Sequence, residues 1–264
     1  MNFKKYMNTL EVNLIISSDN MCDYWEMLAR QMPLVSEDEQ KKFKNAKITV
    51  IGCGGIGGLT IEMLARLGVG ELVVVDEDVF DITNLNRQTL SSIDNVGNEK
   101  SMEAKLRVEK VNPHVKVTSF SEHVDERNVD SLISDSRLVI DALDNVLTRV
   151  IVSRKAREYK IPFVHGAVHG SLGQVTTFLA NTISYEEMFN LPSLENDLTG
   201  EVVDELKSIA SGKPPVFGPT PNLVSCLQAM EAYKIITGVG KVTVSPKVLT
   251  FDLFDFNMFS VEEF

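Results

Sequence analysis

The glycine-rich stretch Gly52-Cys53-Gly54-Gly55-Ile56-Gly57-Gly58 and four charged residues after it, Asp76, Arg87, Lys100 and Asp144, have the types and spacing to do chemistry. Gly52, Gly54 and Gly57 fit the pattern G-x-G-x-x-G. Glycines let a backbone turn tightly and come close to a phosphate. A helix starting behind such a loop adds unpaired N–H groups and a partial positive charge. Asp76 stands where a carboxylate can accept both hydroxyls of a ribose. Together they favour a nucleotide site over a glycine-rich packing turn, without separating NAD from ATP. A dehydrogenase usually needs no cations clustered on its phosphates. Arg87 as a fork and Lys100 as a point charge suit a triphosphate, and Asp144 can hold Mg²⁺, a hard cation that takes carboxylate and phosphate oxygens. An NAD-dependent oxidoreductase and a non-catalytic nucleotide-binding scaffold stay open as alternatives.

The elements that must position these residues follow from periodicity. Ile48–Ile51, Leu72–Val75 and Leu138–Asp141 are short apolar runs rich in β-branched residues, which suit strands buried on both faces. Val115–Phe120 and Phe163–Val164 read as further strands. Helices are expected over Ser36–Lys44, where Ser36 and Glu39 have capping-box spacing, and over Leu59–Leu67, Lys100–Asn112, Val129–Ser134 and Leu147–Glu158. This alternation predicts an α/β fold: a Rossmann-like, mainly parallel sheet with flanking helices. Gln174–Leu179 reads as an antiparallel strand. Asn181–Thr220 holds Pro192, Pro214, Pro215 and Pro219 and is expected to cross over the site as a loop. A helix from about Leu223 to Ile236 and two strands, Lys247–Leu253 and a shorter one, complete an antiparallel C-terminal extension. The expected division is an N-terminal segment 1–35, a nucleotide-binding domain 36–180, the crossover 181–220 and the C-terminal helix and strands 221–264.

The 264 residues carry 26 basic and 37 acidic side chains, a net charge of −11. A nucleic-acid binder would usually show the opposite sign, so no nucleic-acid partner is expected, and an anionic nucleotide needs a local basic pocket. No window approaches the roughly 18 apolar residues of a membrane helix. The first residues lack a signal-peptide pattern. A cytoplasmic protein without membrane contact is expected. The three cysteines, Cys22, Cys53 and Cys226, show no metal-ligand spacing. Cys53 reads as a small apolar filler and Cys226 as a packing residue on a helix.

The motifs Arg30-Gln31, Gly52 to Gly57, Asp76-x-Asp78, Asn84-x-x-Arg87-Gln88, Lys100, Asp144-Asn145 and Leu227-Gln228-Ala229-Met230-Glu231-Ala232 resemble, in order and spacing, the ubiquitin-activating enzyme superfamily. The likeness is to its small homodimeric branch, the MoeB-, ThiF- and HesA-like adenylyltransferases, and covers roughly Arg30 to Ile236. The resemblance implies an enzyme that adenylates a carboxylate with ATP and Mg²⁺. It implies that Gly54, Gly55 and Gly57 lie against the phosphates and that Asp76, in its motif with Asp78, binds the ribose. Asn84, Arg87 and Lys100 would bind the triphosphate, supported by Gln88, while Asp144 holds the metal. Arg30 resembles the arginine that reaches into the partner subunit's site, so the active unit would be a homodimer.

The sequence departs from the family in two places. Typical members carry two C-x-x-C pairs for a structural zinc, and this chain has neither, so no zinc is expected. Thioester-forming relatives carry a cysteine in the crossover, and Asn181–Thr220 has none. These absences suggest a chain that stops at the acyl-adenylate or hands it to an external thiol. The substrate is either the C-terminal glycine of a ubiquitin-like sulfur carrier or a small-molecule carboxylate, as in the branch that adenylates a pyridinol precursor of the iron-guanylylpyridinol cofactor. His165 and His169 read first as hydrogen-bonded structure, with a carboxylate-pocket lining or a metal pair as alternatives. The stripe Leu223, Leu227, Met230, Tyr233 and Ile236 reads as core or dimer contact. Phe251, Phe254, Phe256 and Phe259 read as half-buried strand residues rather than a partner groove.

Overall fold

The computed structural model describes residues 23–209, 212, 215–255 and 259–264. Cys22, Phe256 and the first 22 residues of the N-terminal segment lie outside them. The expected α/β architecture is found. One sheet of eight strands runs in the order β3-β2-β1-β4-β5-β6-β7-β8. The strands are β1 Lys47–Ile51, β2 Glu71–Val75, β3 Lys116–Phe120, β4 Leu138–Asp141, β5 Phe163–His169, β6 Leu172–Phe178, β7 Lys247–Asp252 and β8 Ser260–Glu263. The pairs linking β3, β2, β1, β4 and β5 are parallel, and those linking β5 through β8 are antiparallel.

The alternation of side chains divides the core into two layers. Ile48, Val50, Leu72, Val74, Leu138 and Ile140 face one cluster, whereas Ile51, Val73, Val75 and Val139 face the other. Each fully buried aliphatic side chain contributes about 1.5–3 kcal/mol. The first layer holds α2 Glu37–Lys44, α3 Gly57–Arg66, α4 Lys100–Val111 and α9 Pro219–Thr237, and the second holds α5 Val129–Ile133, α6 Val146–Glu158, α7 Tyr185–Phe189 and α8 Gly200–Ile209. A short α1, Tyr24–Met27, precedes them. Ser36 caps α2 in the expected reciprocal box with Glu39. Among the described residues, no helix is long and apolar enough to cross a membrane.

From β1 the chain builds outward through β2 and β3. It then returns to β4 on the other side of β1 and builds away through β5. The carboxyl ends of β1 and β4 therefore form the crevice at which ligands bind in open α/β sheets. The glycine loop leaves β1 there and the Asp144 turn leaves β4.

The crossover is not the loop expected. It contains α7 and α8. Ser184 and Glu187 form a capping box that starts α7, and Leu206 of α8 is fully buried in the second layer, with Val202 packed beside it. Pro192 follows α7, and Pro219 and Pro221 stand in the first turn of α9, so they break no helix; α9 begins four residues earlier than expected.

Candidate active site

The glycine loop is positioned by two contacts that leave no room for side chains. Gly52 has φ +97°, and a Cβ on it would meet the Ala142 carbonyl oxygen at 2.4 Å. A Cβ on Gly57 would lie 1.7 Å from the Gly52 carbonyl oxygen. These two glycines set α3 hard against β1 and β4. Gly54 and Gly55 differ. A Cβ on Gly54 would find its nearest atom, Gln88 Nε2, at 3.5 Å, and one on Gly55 would find Pro221 at 3.4 Å and the Arg87 Cγ at 3.6 Å. Those are ordinary contacts, so the chain's own packing does not demand glycine at either place. They leave room for close approach of an outside group, and the N-terminus of the ten-residue helix that follows favours an anion there.

Around this loop the structure gathers the residues singled out from the sequence. Asp76 leaves β2 with one carboxylate oxygen accepting the Cys53 amide at 2.7 Å and the other accepting the Asp78 amide at 2.9 Å. It is thereby tied to the loop, and burial pushes its carboxyl above the usual range. Asn84 is buried, and its side-chain oxygen accepts the Asp81 amide at 3.0 Å, capping the short 3₁₀ turn Ile82–Asn84. Its carbonyl accepts the amides of Arg87 and Gln88. Arg87 lies along Gly55 and donates to the Thr83 carbonyl and the Asn86 side chain. Gln88 is 6% exposed, and its Oε1 is buried without a hydrogen-bond partner. Such orphaned acceptors are costly to leave unmet; this one calls for a donor such as a hydroxyl, and its amide lies beside Gly54. Lys100 opens α4, is 6% exposed and pairs with Asp78 at 2.8 Å. Asp144 is exposed in the turn after β4 and carries no ion pair among the described residues.

Arg30 is not brought to this crevice within the chain. Its neighbour Gln31 donates to the Leu67 carbonyl, at the opposite end of α3 from the glycine loop. A fully buried Gln40 holds that corner together, bonded to Tyr24, Tyr233, Gln31 and the Leu67 carbonyl. Gln228 has a structural part. Its amide donates to the carbonyls of Asp141 and Val164, tying α9 to β4 and β5. Cys53 is fully buried and its thiol is pushed well up by burial, as a filler rather than a nucleophile would be. Cys226 is exposed within the chain, so it is not the packing residue expected.

A buried polar cluster lies just beneath the Asp144 turn. Asp141, the last residue of β4, is fully buried and paired with His165 Nδ1 at 2.6 Å and with Arg149 Nε at 3.1 Å. The Tyr185 ring of α7 packs against His165, with ring centroids 5.3 Å apart. The strand expected to end at Val164 runs on to His169, paired with β6 throughout. His165 and His169 therefore sit four strand residues, or roughly 13 Å, apart and cannot share a metal. His169 is exposed. The structural reading of His165 holds, with a partner the sequence did not name. The signal available was Asp141 itself, a charge ending an apolar strand.

Burial holds the His165 imidazole below its ordinary pKa, against the pull of Asp141. The sign of the consequence follows. As pH falls from about 6.5, the unfolded chain takes up a proton that native His165 refuses, so stability declines. It is fully present above about pH 6.5 and is lost toward the lower native pKa. Asp141, held low by Arg149 and His165 against the effect of burial, acts only below about pH 4. The unfolding free energy of the native protein should drop between pH 7 and 5.5, by up to about 1.4 kcal/mol per pH unit from this group, and the thermal midpoint should fall with it. His165→Asn should flatten that slope; an unchanged slope would exclude His165 as its source.

The group chemistry of the crevice fits a nucleoside triphosphate: two glycines that leave space and two cations. Among the described residues no group of three or more His, Cys, Asp or Glu side chains could hold a metal by itself. A single carboxylate at Asp144 suits Mg²⁺, which is usually held by one or two protein carboxylates together with substrate phosphates.

Comparison with known proteins agrees with this geometry. The model of the ThiF family matches residues 28–264. The chain is 35% identical to the SAMP-activating enzyme E1 of Haloferax volcanii over 224 residues, covering 85% of this chain and 79% of that one. It is 33% identical to the molybdopterin-synthase adenylyltransferase of Escherichia coli over 215 residues, covering 81% and 82%. The sulfur carrier protein adenylyltransferase of Thermus thermophilus is 32% identical over 225 residues, covering 80% and 78%. Among solved structures, PaaA superposes with a TM-score of 0.75 at 23% identity, covering 96% of this chain and 77% of that one. E. coli MccB with ATP gives 0.71 at 22%, covering 86% and 65%. The structural likenesses carry the fold alone.

Proposed function

The chain belongs to the ThiF family and is an adenylyltransferase that uses ATP, and we propose that it joins AMP to the C-terminal carboxylate of a ubiquitin-like sulfur carrier protein. The carboxylate oxygen attacks the α-phosphorus, the bond to the bridging oxygen breaks, and pyrophosphate leaves with the electron pair. A carboxylate with a pKa near 4 is already ionised at neutral pH, so no general base is required. The chain's residues have to orient the two anions and offset charge on the phosphates. Gly54, Gly55 and Gly57 receive the phosphates and Asp76 the ribose, with Asp78 placing Lys100. Arg87 and Lys100 neutralise the triphosphate, with Asn84 and Gln88 holding that wall of the site. Asp144 would hold Mg²⁺, which supplies charge neutralisation when bound. Arg30, remote from its own crevice, would reach the site of a second copy in a homodimer.

The observation that carries this reading is the convergence of Gly54, Gly55, Arg87 and Asp144 at the β1–β4 crevice. A carrier is favoured over a small acid by the relatives, matched at 32–35% identity over about four-fifths of both chains and named for carrier activation. All three reported relatives are named for adenylyl transfer or activation, which leaves the oxidoreductase alternative without support. The test is ATP–pyrophosphate exchange with Mg²⁺ and the organism's own sulfur carrier ending in Gly-Gly. Exchange should appear with the intact carrier and vanish when its last glycine is removed. Exchange with a hydroxypyridine carboxylate and none with the carrier would overturn the proposal in favour of a small-molecule substrate.

A further inference from the structure

The buried cluster under β4 does more than fill the second layer. The Leu143 peptide, immediately before Asp144, is gripped on both sides. Its N–H donates to Asp141 Oδ1 at 3.0 Å, and its carbonyl accepts from the Arg149 guanidinium. Arg149 also reaches the Gly166 carbonyl at 3.3 Å. Asp141 is in turn held by His165 at 2.6 Å. The protonation of His165 is defined by its two neighbours. Nδ1 faces a carboxylate and must donate, while Nε2 faces the Gln174 amide nitrogen at 3.3 Å and must accept. A neutral imidazole satisfies both. Every charged or titratable group facing His165 is then accounted for: Asp141 on β4, Arg149 on α6 and Tyr185 on α7.

Tyr185 belongs to the crossover, and α7 is fastened independently. Glu186 takes a bidentate pair from Arg154, one α6 turn beyond Arg149, and the same guanidinium bonds the carbonyls of Ser193 and Asn196. The first half of the crossover is thereby a fixed wall packed against the His165 ring through Tyr185 and Phe189.

We propose that His165 is a positioning residue for Asp144, which fixes the turn through Asp141, Arg149 and the Leu143 peptide and so sets how tightly the site takes its divalent cation. The inference rests on the reading of Asp144 given above. The imidazole acts from beneath the turn, by removing alternatives for a segment that is otherwise exposed. Partners of this kind typically change metal affinity by about 10- to 100-fold when removed.

The test is Mn²⁺ titration of the full-length protein saturated with a non-hydrolysable ATP analogue, followed by electron paramagnetic resonance, alongside thermal midpoints and the Mg²⁺ dependence of exchange. His165→Leu should weaken Mn²⁺ by about tenfold. His165→Asn, which can place an amide nitrogen where Nδ1 donates, should recover most of the affinity. Raised Mg²⁺ should restore the exchange rate of His165→Leu, which a general loss of folded protein would not allow. Asp144→Asn separates the two levels of inference. If it leaves Mn²⁺ binding intact, the metal role of Asp144 is wrong and the positioning role goes with it. If it weakens binding while His165→Leu does not, the adenylyltransferase reading stands and the positioning role alone is overturned.

Discussion

Arg87→Ala should lower kcat/KM for ATP–pyrophosphate exchange by about 10²- to 10³-fold, the usual cost of removing one preorganised donor from a developing anion. The expectation rests on placement. The Arg87 stem lies along Gly55, the residue whose lack of a side chain the chain's own packing does not demand. Its two internal bonds, to the Thr83 carbonyl and the Asn86 side chain, are at the exposed end of the guanidinium, so stability should change by no more than about 0.5 kcal/mol. Activity and stability are therefore expected to part company. Arg87→Lys should recover little, because an ammonium cannot reproduce the planar fork. Exchange kinetics with matched thermal midpoints give the answer. A loss below about threefold, or one that follows the thermal midpoint, would remove Arg87 from the phosphate site.

The same reasoning shows where the sequence was informative. Ile48–Ile51, Leu72–Val75 and Leu138–Asp141 are legible as strands because burial on both faces forces an unbroken apolar run. The glycine loop, Asp76, Arg87, Lys100 and Asp144 are legible because their order along a strand–turn–helix series maps directly onto the carboxyl edge of a parallel sheet. β5 was cut short at Val164 because His165 breaks that pattern. The strand tolerates it only because Asp141, twenty-four positions earlier, provides a partner at 2.6 Å. No local spacing encodes the meeting of Asp141, Arg149, His165 and Tyr185; it exists only once β4, β5, α6 and α7 are assembled. In the crossover, prolines masked α7 and α8, although Ser184 and Glu187 held the capping signal. The aromatic tail was misjudged in part. Phe251 is buried, but Phe254 and Phe259 are exposed, with Phe254 edge-on to Phe217. Both lie outside the strands, Phe254 in the turn after β7 and Phe259 just before β8, where no sheet face covers them.

The glycines permit a paired experiment in which packing and ligand approach separate. Gly57→Ala places a methyl 1.7 Å from a backbone carbonyl oxygen and 3.1 Å from the Ala142 side chain. Backbone cannot rotate aside, so the start of α3 must lift away from β1 and β4. Overpacking of this kind costs about 1–3 kcal/mol, and the displaced loop should lose ATP affinity by about 10²-fold, as misplacements near 1 Å do. Gly54→Ala meets only the end of the Gln88 side chain, at 3.5 Å. Its thermal midpoint should match the native protein, while its methyl projects into space the packing leaves open to a phosphate, and affinity should fall by about 10²-fold as well. Differential scanning fluorimetry without ligand and titration with a fluorescent ATP analogue measure the two quantities apart. Normal ATP binding by Gly54→Ala would mean that no phosphate approaches that residue. Native stability in Gly57→Ala would mean that α3 does not depend on the contact with Gly52. The two variants thus test separately why each glycine is there: one because the fold closes on it, the other because a ligand must.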